Sequence, residues 1–544
     1  MLGTPPGFRG RFVQGPEAAE LASRVSGPFQ AQPAAFAVPR DEEDLALLVE
    51  WSGNSGRPLT PRGGGTGMPG GNLGPSVVVS LESGFSSLET VEGEVGRIRS
   101  GAGAVAADID RLAKLAGRFL PPVPSSAPWC TAGGMVANNA ASARSFGHGA
   151  VARWVAAVEG VDSEGRPFRV DRTPVPHDPA GTHGSGPGAP ASLQLPSESS
   201  GSPIVDAARA IRPDGLQSGN GSFSNMWPPV RKNSSGYAMD RFVAGGFDPL
   251  QLLVGSEGTL AFITAVEWWT HPLPQRRGIA LLPANSATDI VQLAQGASEI
   301  GAVACEMLGK RFIEIAGLEA DPLLRELPRD VDALLLLEVT GDDHEVAEGL
   351  LRCRQLGTGV AGGGIVGDSA ADADRLWALR HAASPVIARE AGRGRISTQF
   401  IEDCVVPVAR LGEFLDGLND ALEEAGFDAV VFGHAGDGNL HVNPLVDVGA
   451  PDHLSRVRGC LDRVAEFVSR LNGTLAGEHG DGRLRAPYLE RIWGARTVEI
   501  FRSVKEHFDS VGILNPGVIL PLPGQDPLDG FLPRVRAYPP RTEG

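Results

Sequence analysis

The sequence predicts an α+β protein whose C-terminal half lays helices on one face of a largely antiparallel sheet. Three observations predict it. Strand-like apolar runs alternate with amphipathic helical patterns. Glycine, at 72 of 544 residues, and proline, at 43, exceed their usual shares and demand many loops shaped by backbone alone. The composition also changes at His271-Pro-Leu-Pro274, which marks a domain boundary.

The elements follow in order. Asp41-Glu-Glu-Asp44 precedes Leu45, Leu47, Leu48 and Trp51, a helix with carboxylates at the positive end of its dipole. Arg57–Thr60 is a short strand running into Pro61-Arg-Gly-Gly-Gly-Thr-Gly-Met-Pro-Gly-Gly71, and Val77–Leu81 is a second strand. Val105, Ile109, Leu112 and Leu115 recur at helical spacing, and Pro121-Pro122 follows soon after that helix must stop. From Arg172 to Pro203 periodic apolar residues give way to Pro, Gly and Ser, so an exposed, flexible insertion is expected, taken as residues 172–220. Val254-Gly-Ser-Glu-Gly-Thr-Leu260 then leads into a strand from Ala261 to Trp269.

Beyond the boundary, strands are expected at Ile279–Leu282, Leu334–Val339, Asp403–Val408 and Ala429–Phe432. Helices are expected at Ala287–Ile300, Glu345–Leu356, Ala370–Glu390 and Leu411–Ala425. Asp452–Asn472 is the clearest helix, with Asp452 to cap it and Gly473 to end it.

Charge and cysteine content exclude whole classes. With 65 acidic against 48 basic residues the net charge is −17, which argues against a nucleic-acid partner. Only four basic residues are lysine (Lys114, Lys232, Lys310, Lys505). The five cysteines are too scattered for a zinc knuckle or an iron–sulfur ligand set, and a reducing compartment suits them. Met1–Gly15 has no signal-peptide core, and the longest apolar run, Ala333–Leu337, is far short of the ~20 residues of a membrane span. A cytoplasmic location without an integral span is expected.

The first glycine loop contains Gly-x-Gly-x-x-Gly at Gly65, Gly67 and Gly70. A nicotinamide-type fold needs a helix to begin there, but Met68-Pro69-Gly70-Gly71-Asn72 and Gly74-Pro75 forbid one. Consecutive backbone N–H groups can instead form a nest for a pyrophosphate; the bland alternative is a tight interdomain turn. Two further small-residue loops, Pro124–Ala140 and Gly255-Ser-Glu-Gly-Thr259, favour a long dinucleotide held along its length.

A second constellation is C-terminal: Gly433-His-Ala-Gly-Asp-Gly-Asn-Leu-His441, then Gly477-Glu-His-Gly-Asp-Gly482. Two histidines seven apart across a glycine turn converge if the loop folds back at a strand end. Capped, solvated turns are the bland alternative.

Taken in order, Arg62-Gly-Gly-Gly-Thr-Gly67, Thr131-Ala-Gly-Gly-Met-Val-Ala-Asn138, Arg231-Lys-Asn-Ser-Ser-Gly-Tyr237 and Gly255-Ser-Glu-Gly-Thr-Leu260 resemble the vanillyl-alcohol-oxidase (PCMH-type) flavoproteins. The likeness is to their D-2-hydroxyacid dehydrogenase branch: D-lactate dehydrogenase, the glycolate oxidase FAD subunit and D-2-hydroxyglutarate dehydrogenase. It spans Phe36 to Leu520 apart from the insertion.

The resemblance implies a two-subdomain FAD-binding domain over residues 28–274, a cap over 275–430, a segment 431–522 returning to the FAD domain, and a tail 523–544. Residues implied to hold FAD are Arg62, Gly63, Gly64, Gly65, Thr66 and Gly67 in the first loop, and Pro124, Ser125, Thr131, Gly134 and Asn138 in the second. Lys232, Asn233, Gly255, Glu257, Gly258, Thr259 and Asn515 complete that set. The first loop has no histidine, so the FAD is expected to be dissociable; His148 is the nearby histidine that would offer a covalent link.

His434, His441 and Glu478 match the family's metal ligands, suited to zinc, manganese or iron, and His479 matches the substrate base. A cation on the substrate would lower its hydroxyl pKa, and a neutral histidine could then take the proton near pH 7. Arg380 matches the arginine that pairs with the substrate carboxylate, and Ser384, four residues on, would share its helical face. A lysine that helps hold a distal carboxylate in the 2-hydroxyglutarate branch is missing from Phe400-Ile401-Glu402-Asp403, with Arg393 or Arg395 as substitutes.

The implied activity is FAD-dependent oxidation of a 2-hydroxy acid to the 2-keto acid. Electrons would pass to a separate acceptor: an iron–sulfur protein, a quinone or an electron-transfer flavoprotein. A homodimer is a further expectation. Rival readings are a non-redox flavin transferase like alkylglycerone-phosphate synthase, a non-catalytic FAD subunit of a glycolate-oxidase-type complex, and a flavin-free zinc hydrolase.

Overall fold

The computed structural model describes residues 3–172, 202–211, 226–244, 248–316, 327–328, 330–382, 387–388 and 394–532. Three principal sheets carry the fold. In the first, Arg11–Gln14, Ala35–Val38, Val77–Ser80 and Leu59–Arg62 lie side by side, and the last three strands are parallel. Helix Glu42–Ser55 is capped by Asp41, whose side chain accepts from the Asp44 N–H, and ends on Gly56 at φ 62°. The second sheet is antiparallel, in the order Leu88–Thr90, Arg97–Gly101, Phe262–Trp269, Val155–Val161, Pro167–Asp171.

The third sheet is drawn from residues 276–446 and is antiparallel throughout. Its order is Ile365–Gly367, Arg276–Ala284, Ala333–Gly341, Ala304–Gly309, Asp428–His434, Asn439–Val446, Ile396–Ser397, with Cys404–Val405 beside Asn439–Val446. Alternation along these strands sorts their side chains onto two faces. Ala280, Leu282, Leu335, Leu337 and Val442 face helices Ala287–Ile300, Asp343–Ala361, Leu411–Ala425 and His453–Arg470. Ile279, Leu281, Leu334, Leu336 and Val430 face Phe312 and helix Ala370–His381.

The α+β class with largely antiparallel sheets is as expected. One refinement is that helices lie on both faces of the third sheet, because Ala373, Leu376 and Trp377 bury a second apolar layer. The core of the first two sheets also takes in Leu489, Trp493, Val498, Phe501, Leu514 and Ile519, so the end of the chain packs back on its beginning.

Several local expectations change. The span 172–220 is not all irregular: Pro203–Ala210 is a helix that buries Ile204 and Ala208, while 173–201 and 212–220 lie outside the described residues. The second glycine loop contains a short helix, Ala132–Ala137, because the Thr131 side chain accepts from the Gly134 N–H. The expected strand Asp403–Val408 is only Cys404–Val405, since Pro407 turns the chain into Val408–Arg410. Of the helix expected over Ala370–Glu390, Ala370–His381 forms, and residues 383–386 and 389–390 lie outside the described residues. Asp452 precedes its helix without a side-chain cap bond. The expected tail is ordered through Leu532, with Phe531 packed edge-on against Phe29 at 5.6 Å.

Candidate active site

One cavity of about 960 Å³ runs between the glycine loops and the third sheet. Arg62, Gly63, Gly64, Gly65, Thr66, Gly67, Pro124, Ser125, Thr131, Gly134, Asn138, Glu257 and Gly258 line it, as do His148, Arg380, His434, His441, Glu478 and His479. The glycines shape this wall. A Cβ on Gly63 would collide with the Thr131 hydroxyl and one on Gly64 with the Trp129 carbonyl, so the two loops can close only around bare backbone. Beside Gly134 only Thr131 Oγ1 lies within van der Waals reach, so the space there belongs to the cavity. A trough walled by backbone from three loops suits an extended pyrophosphate ligand.

Five residues expected to touch FAD are placed elsewhere among the described residues. Asn233 accepts from the Ser235 N–H at 2.9 Å, a local turn. The Gly255 N–H donates to the Val136 carbonyl, and Thr259 pairs with the Tyr237 hydroxyl at 2.7 Å. Asn515 donates to the Gly71 and Glu257 carbonyls, tying two loops together behind the cavity wall. Lys232 has gone to the other constellation: its ammonium lies 2.6 Å from Oε2 of Glu478, and both side chains are buried. Arg62 is buried, with its guanidinium on the Arg24 and Asn72 carbonyls, and burial pushes its pKa down to about 10.

The second constellation assembles from sheet register. His441 pairs with Phe432 across the hairpin, and Leu308 pairs with Phe432 on the other side. Continuing that register sets Glu306 opposite His434, on the sheet face away from the four-helix layer. Glu306 Oε1 meets His434 Nδ1 at 2.5 Å, and Glu306 Oε2 accepts from Arg380 Nε at 2.6 Å. The His434 ring and the Arg380 guanidinium, outweighing burial, hold the Glu306 carboxyl far below the usual range.

The tautomers follow from the outer partners. His434 Nδ1 faces a carboxylate, and His441 Nδ1 donates to the Glu402 carbonyl at 2.9 Å, so in the neutral rings both Nε2 atoms present lone pairs. Those Nε2 atoms lie 3.2 Å apart, and Glu478 Oε1 stands 3.2 Å from one and 3.3 Å from the other. Three lone-pair donors repel at such distances unless a cation sits among them. Edges of this length match an ion with bonds of ~2.1 Å, for which ligands stand about 3.0 Å apart at right angles and about 3.4 Å apart in a tetrahedron. His434, His441 and Glu478 therefore fit a divalent metal; without one, a proton on His434, whose pKa Glu306 raises against burial, fills the same need.

Beside the tripod, His479 stacks on His441 with the rings 5.4 Å apart and 20° from parallel. Its Nδ1 lies 2.7 Å from Glu402 Oε2, and its Nε2 lies 3.5 Å from Glu478 Oε1. Burial opposes the charge, but Glu402 and Asp403 outweigh it and push the pKa up to about 9. The neutral form expected near pH 7 is thus the minor one in the metal-free geometry. A dication at the tripod would act in the opposite direction.

The turn bearing these groups is wound on Asp403, one of whose oxygens accepts the N–H groups of Gly477, Glu478 and His479 at 2.9–3.0 Å. Glu402 also takes Arg485, and Asn138 donates to the His479 carbonyl at 2.9 Å. Glu257, at φ 50° in the left-handed region, accepts the N–H groups of Asp481 and Gly482. The turn is fastened to both halves of the molecule.

Ser384 and Arg393 lie outside the described residues, and Arg395 pairs with Asp428 at 3.3 Å. The motifs do not single out Glu306, Glu402 or Asp403, which surround the site. For Glu306 a signal exists, a lone charge in apolar strand sequence, Val303-Ala-Cys-Glu-Met-Leu308. The same signal marks Glu338, buried and forked by Arg144, with Arg277 on one oxygen.

These observations define the class. Residues 33–171 match the FAD binding domain family and residues 273–519 the FAD linked oxidase C-terminal domain family; the chain belongs to the FAD-linked oxidases. Among curated relatives it is 27% identical to the D-2-hydroxyglutarate dehydrogenase of Escherichia coli, over 92% of this chain and 49% of that protein. It is 27% identical to the D-lactate dehydrogenase of Archaeoglobus fulgidus, over 95% and 96% of the two chains, and 24% identical to the glycolate oxidase subunit GlcD of Bacillus subtilis, over 90% and 89%. The chain spans about half the length of the first two relatives, both D-2-hydroxyglutarate dehydrogenases. A solved alkyldihydroxyacetonephosphate synthase shares the fold, with TM-score 0.57 and 14% identity over 93% of this chain and 82% of the other. Among the described residues no helix is long and apolar enough to cross a membrane.

Proposed function

We propose that this protein is an FAD-dependent, metal-assisted 2-hydroxyacid dehydrogenase or oxidase acting on a small acid of the D-lactate, glycolate or D-2-hydroxyglutarate type. The observation that carries the reading is the convergence of three lone-pair donors, His434, His441 and Glu478, beside His479 in the cavity lined by the glycine loops. Names of relatives at 24–27% identity support the substrate class.

The glycine loops and Asn138 would hold FAD, and His434, His441 and Glu478 a divalent cation. When bound, FAD supplies a hydride acceptor and the cation a Lewis acid that acidifies an α-hydroxyl. The chain's own side chains do the rest. Arg380, steadied through Nε by Glu306, presents a guanidinium to the substrate carboxylate. His479 handles the hydroxyl proton at Nε2, while Glu402 fixes Nδ1 and keeps the ring oriented. Asp403 holds the backbone of Glu478 and His479, so ligand and base move as one unit. Apolar walls from Phe432 and Trp377 limit water around the reacting carbon.

Electrons then leave to a separate acceptor, for which an iron–sulfur protein, a quinone or an electron-transfer flavoprotein would serve. Anaerobic titration of the yellow protein with D- and L-2-hydroxyacids tests the reading. Bleaching of the flavin by one of them, abolished in His479→Asn with FAD retained, is expected. Absence of bleaching across the panel, with metal supplied, would overturn it.

A further inference from the structure

We propose that Lys232 sets the charge of the metal centre: its buried ammonium occupies one oxygen of Glu478 and confines that carboxylate to single-oxygen coordination. The inference rests on the metal-assisted reading for the identity of the tripod, but it concerns only how the cation is held.

The two oxygens of Glu478 have separate partners. Oε1 faces His434 and His441, and Oε2 faces Lys232 at 2.6 Å. The lysine side chain is 4% exposed and the glutamate 8%, so water cannot screen the contact. Lys232 arrives from a segment remote from the sheet, anchored where Arg231 donates to the Phe146 carbonyl and lies 3.5 Å from Asp437.

The carboxylates nearest the tripod have cationic partners. Glu478 is offset by Lys232, Glu306 by Arg380 and Asp437 by Arg231, while Glu402 and Asp403 face Arg485 and His479. With Lys232 counted, the tripod is neutral when its histidines are neutral, so a bound dication would keep its charge for the ligand. A 2-hydroxycarboxylate, itself an anion, would be drawn to that charge. Without Lys232 the tripod would carry a net negative charge, and Glu478 could grip the cation with both oxygens. Binding would tighten and Lewis acidity would fall. The lysine therefore trades metal affinity for charge available to substrate.

The FAD-loaded protein, stripped by chelator, is titrated with Zn²⁺ alone against a chromophoric competitor. Lys232→Met is expected to bind Zn²⁺ about tenfold or more tightly than the wild type, with FAD content unchanged, because a like charge beside the cation is gone. Lys232→Arg, which keeps the charge, should stay within about threefold. Affinity equal to or weaker than wild type in Lys232→Met would overturn the proposal and leave the lysine a structural prop. Loss of FAD from that variant with zinc affinity unmoved would do the same.

Should Lys232→Met fail to fold, a crystal structure of the zinc-loaded wild type decides. Zinc on Oε1 with Lys232 still on Oε2 supports the assignment, and zinc on both oxygens refutes it. Failure of every 2-hydroxyacid to reduce the flavin would remove the functional reading while leaving the zinc result intact.

Discussion

Glu306 and His434 face each other on neighbouring strands, and the carboxylate meets imidazole Nδ1 at 2.5 Å. Its other oxygen holds Arg380, so one buried acid orients both the histidine proposed for the metal and the arginine proposed for the substrate. Glu306→Gln keeps the shape but removes the charge that fixes the His434 tautomer. Loss of such an outer partner typically costs about 10–100-fold in metal affinity or activity. Zinc affinity by chelator competition and KM for the best 2-hydroxyacid should both worsen. A variant with both unchanged would separate Glu306 from the site.

Chelation should silence the enzyme without decolourising it. The glycine loops and the tripod share no residue, so removing a cation bound at the proposed site would leave FAD held. Flavin reduction by substrate should fall by two orders of magnitude or more, since acidification of the hydroxyl is worth several kcal/mol. Stopped-flow reduction before and after chelation, with restoration by added Zn²⁺ or Mn²⁺, checks this.

How much of this was legible in the sequence depends on whether chemistry follows chain order. Helices Ala287–Ile300 and Leu411–Ala425 agree to the residue, because apolar periodicity and glycine after the last turn are local signals. His434, His441 and Glu478 stood out because glycine turns isolate them, and the structure brings all three together. Glu306 and Asp403 act across sheet register and from a separate turn, relations that no local pattern encodes. The flavin-like motif formed by its sequence neighbours points Lys232 toward FAD. Its partner lies 246 residues away in the numbering, at Glu478.

Glu257 and Asp481 give the fold a pH dependence. Burial raises both carboxyls above their ordinary values, and their mutual repulsion adds to this in Glu257. Between the usual carboxylate range and neutrality these two carboxyls therefore bind more protons in the folded chain than in the unfolded one, and their contribution to stability falls as pH rises. His148, His381 and His441, whose pKa values desolvation lowers, act in the opposite direction, so the comparison is with a variant. The melting temperature of the wild type relative to that of Glu257→Gln should decline from about pH 5 to about pH 8. A difference that stays level or rises over this interval would contradict the assignment.

Gly64 tests the first loop. Its missing Cβ makes room for the Trp129 carbonyl, so Gly64→Ala must displace backbone in one loop or the other. Overpacking of this kind costs about 1–3 kcal/mol, and here it also distorts the cavity wall. The expected result is a lower melting temperature together with a reduced FAD-to-protein absorbance ratio. Full FAD content would mean that the loop accommodates the methyl group away from the trough.

Arg380 offers a test that separates the proposed substrate recognition from the proposed metal chemistry. Its Nε is committed to Glu306, its guanidinium carbon lies 4.6 Å from the Phe432 ring centroid, and its side chain lines the cavity. Arg380→Met preserves much of the apolar stem but leaves Glu306 with His434 alone. Truncating one partner of a buried charge pair costs about 2–5 kcal/mol, part of which is the penalty on the orphaned Glu306 carboxylate. That penalty can be subtracted. The double variant Arg380→Met, Glu306→Gln removes the orphan, so whatever loss of carboxylate affinity remains beyond Glu306→Gln belongs to the substrate. Dissociation constants for a non-reducing carboxylate such as the 2-keto acid product, read from the flavin spectrum, supply the four corners of the cycle. If the double variant binds that acid as well as Glu306→Gln alone, Arg380 serves only to hold Glu306 in place.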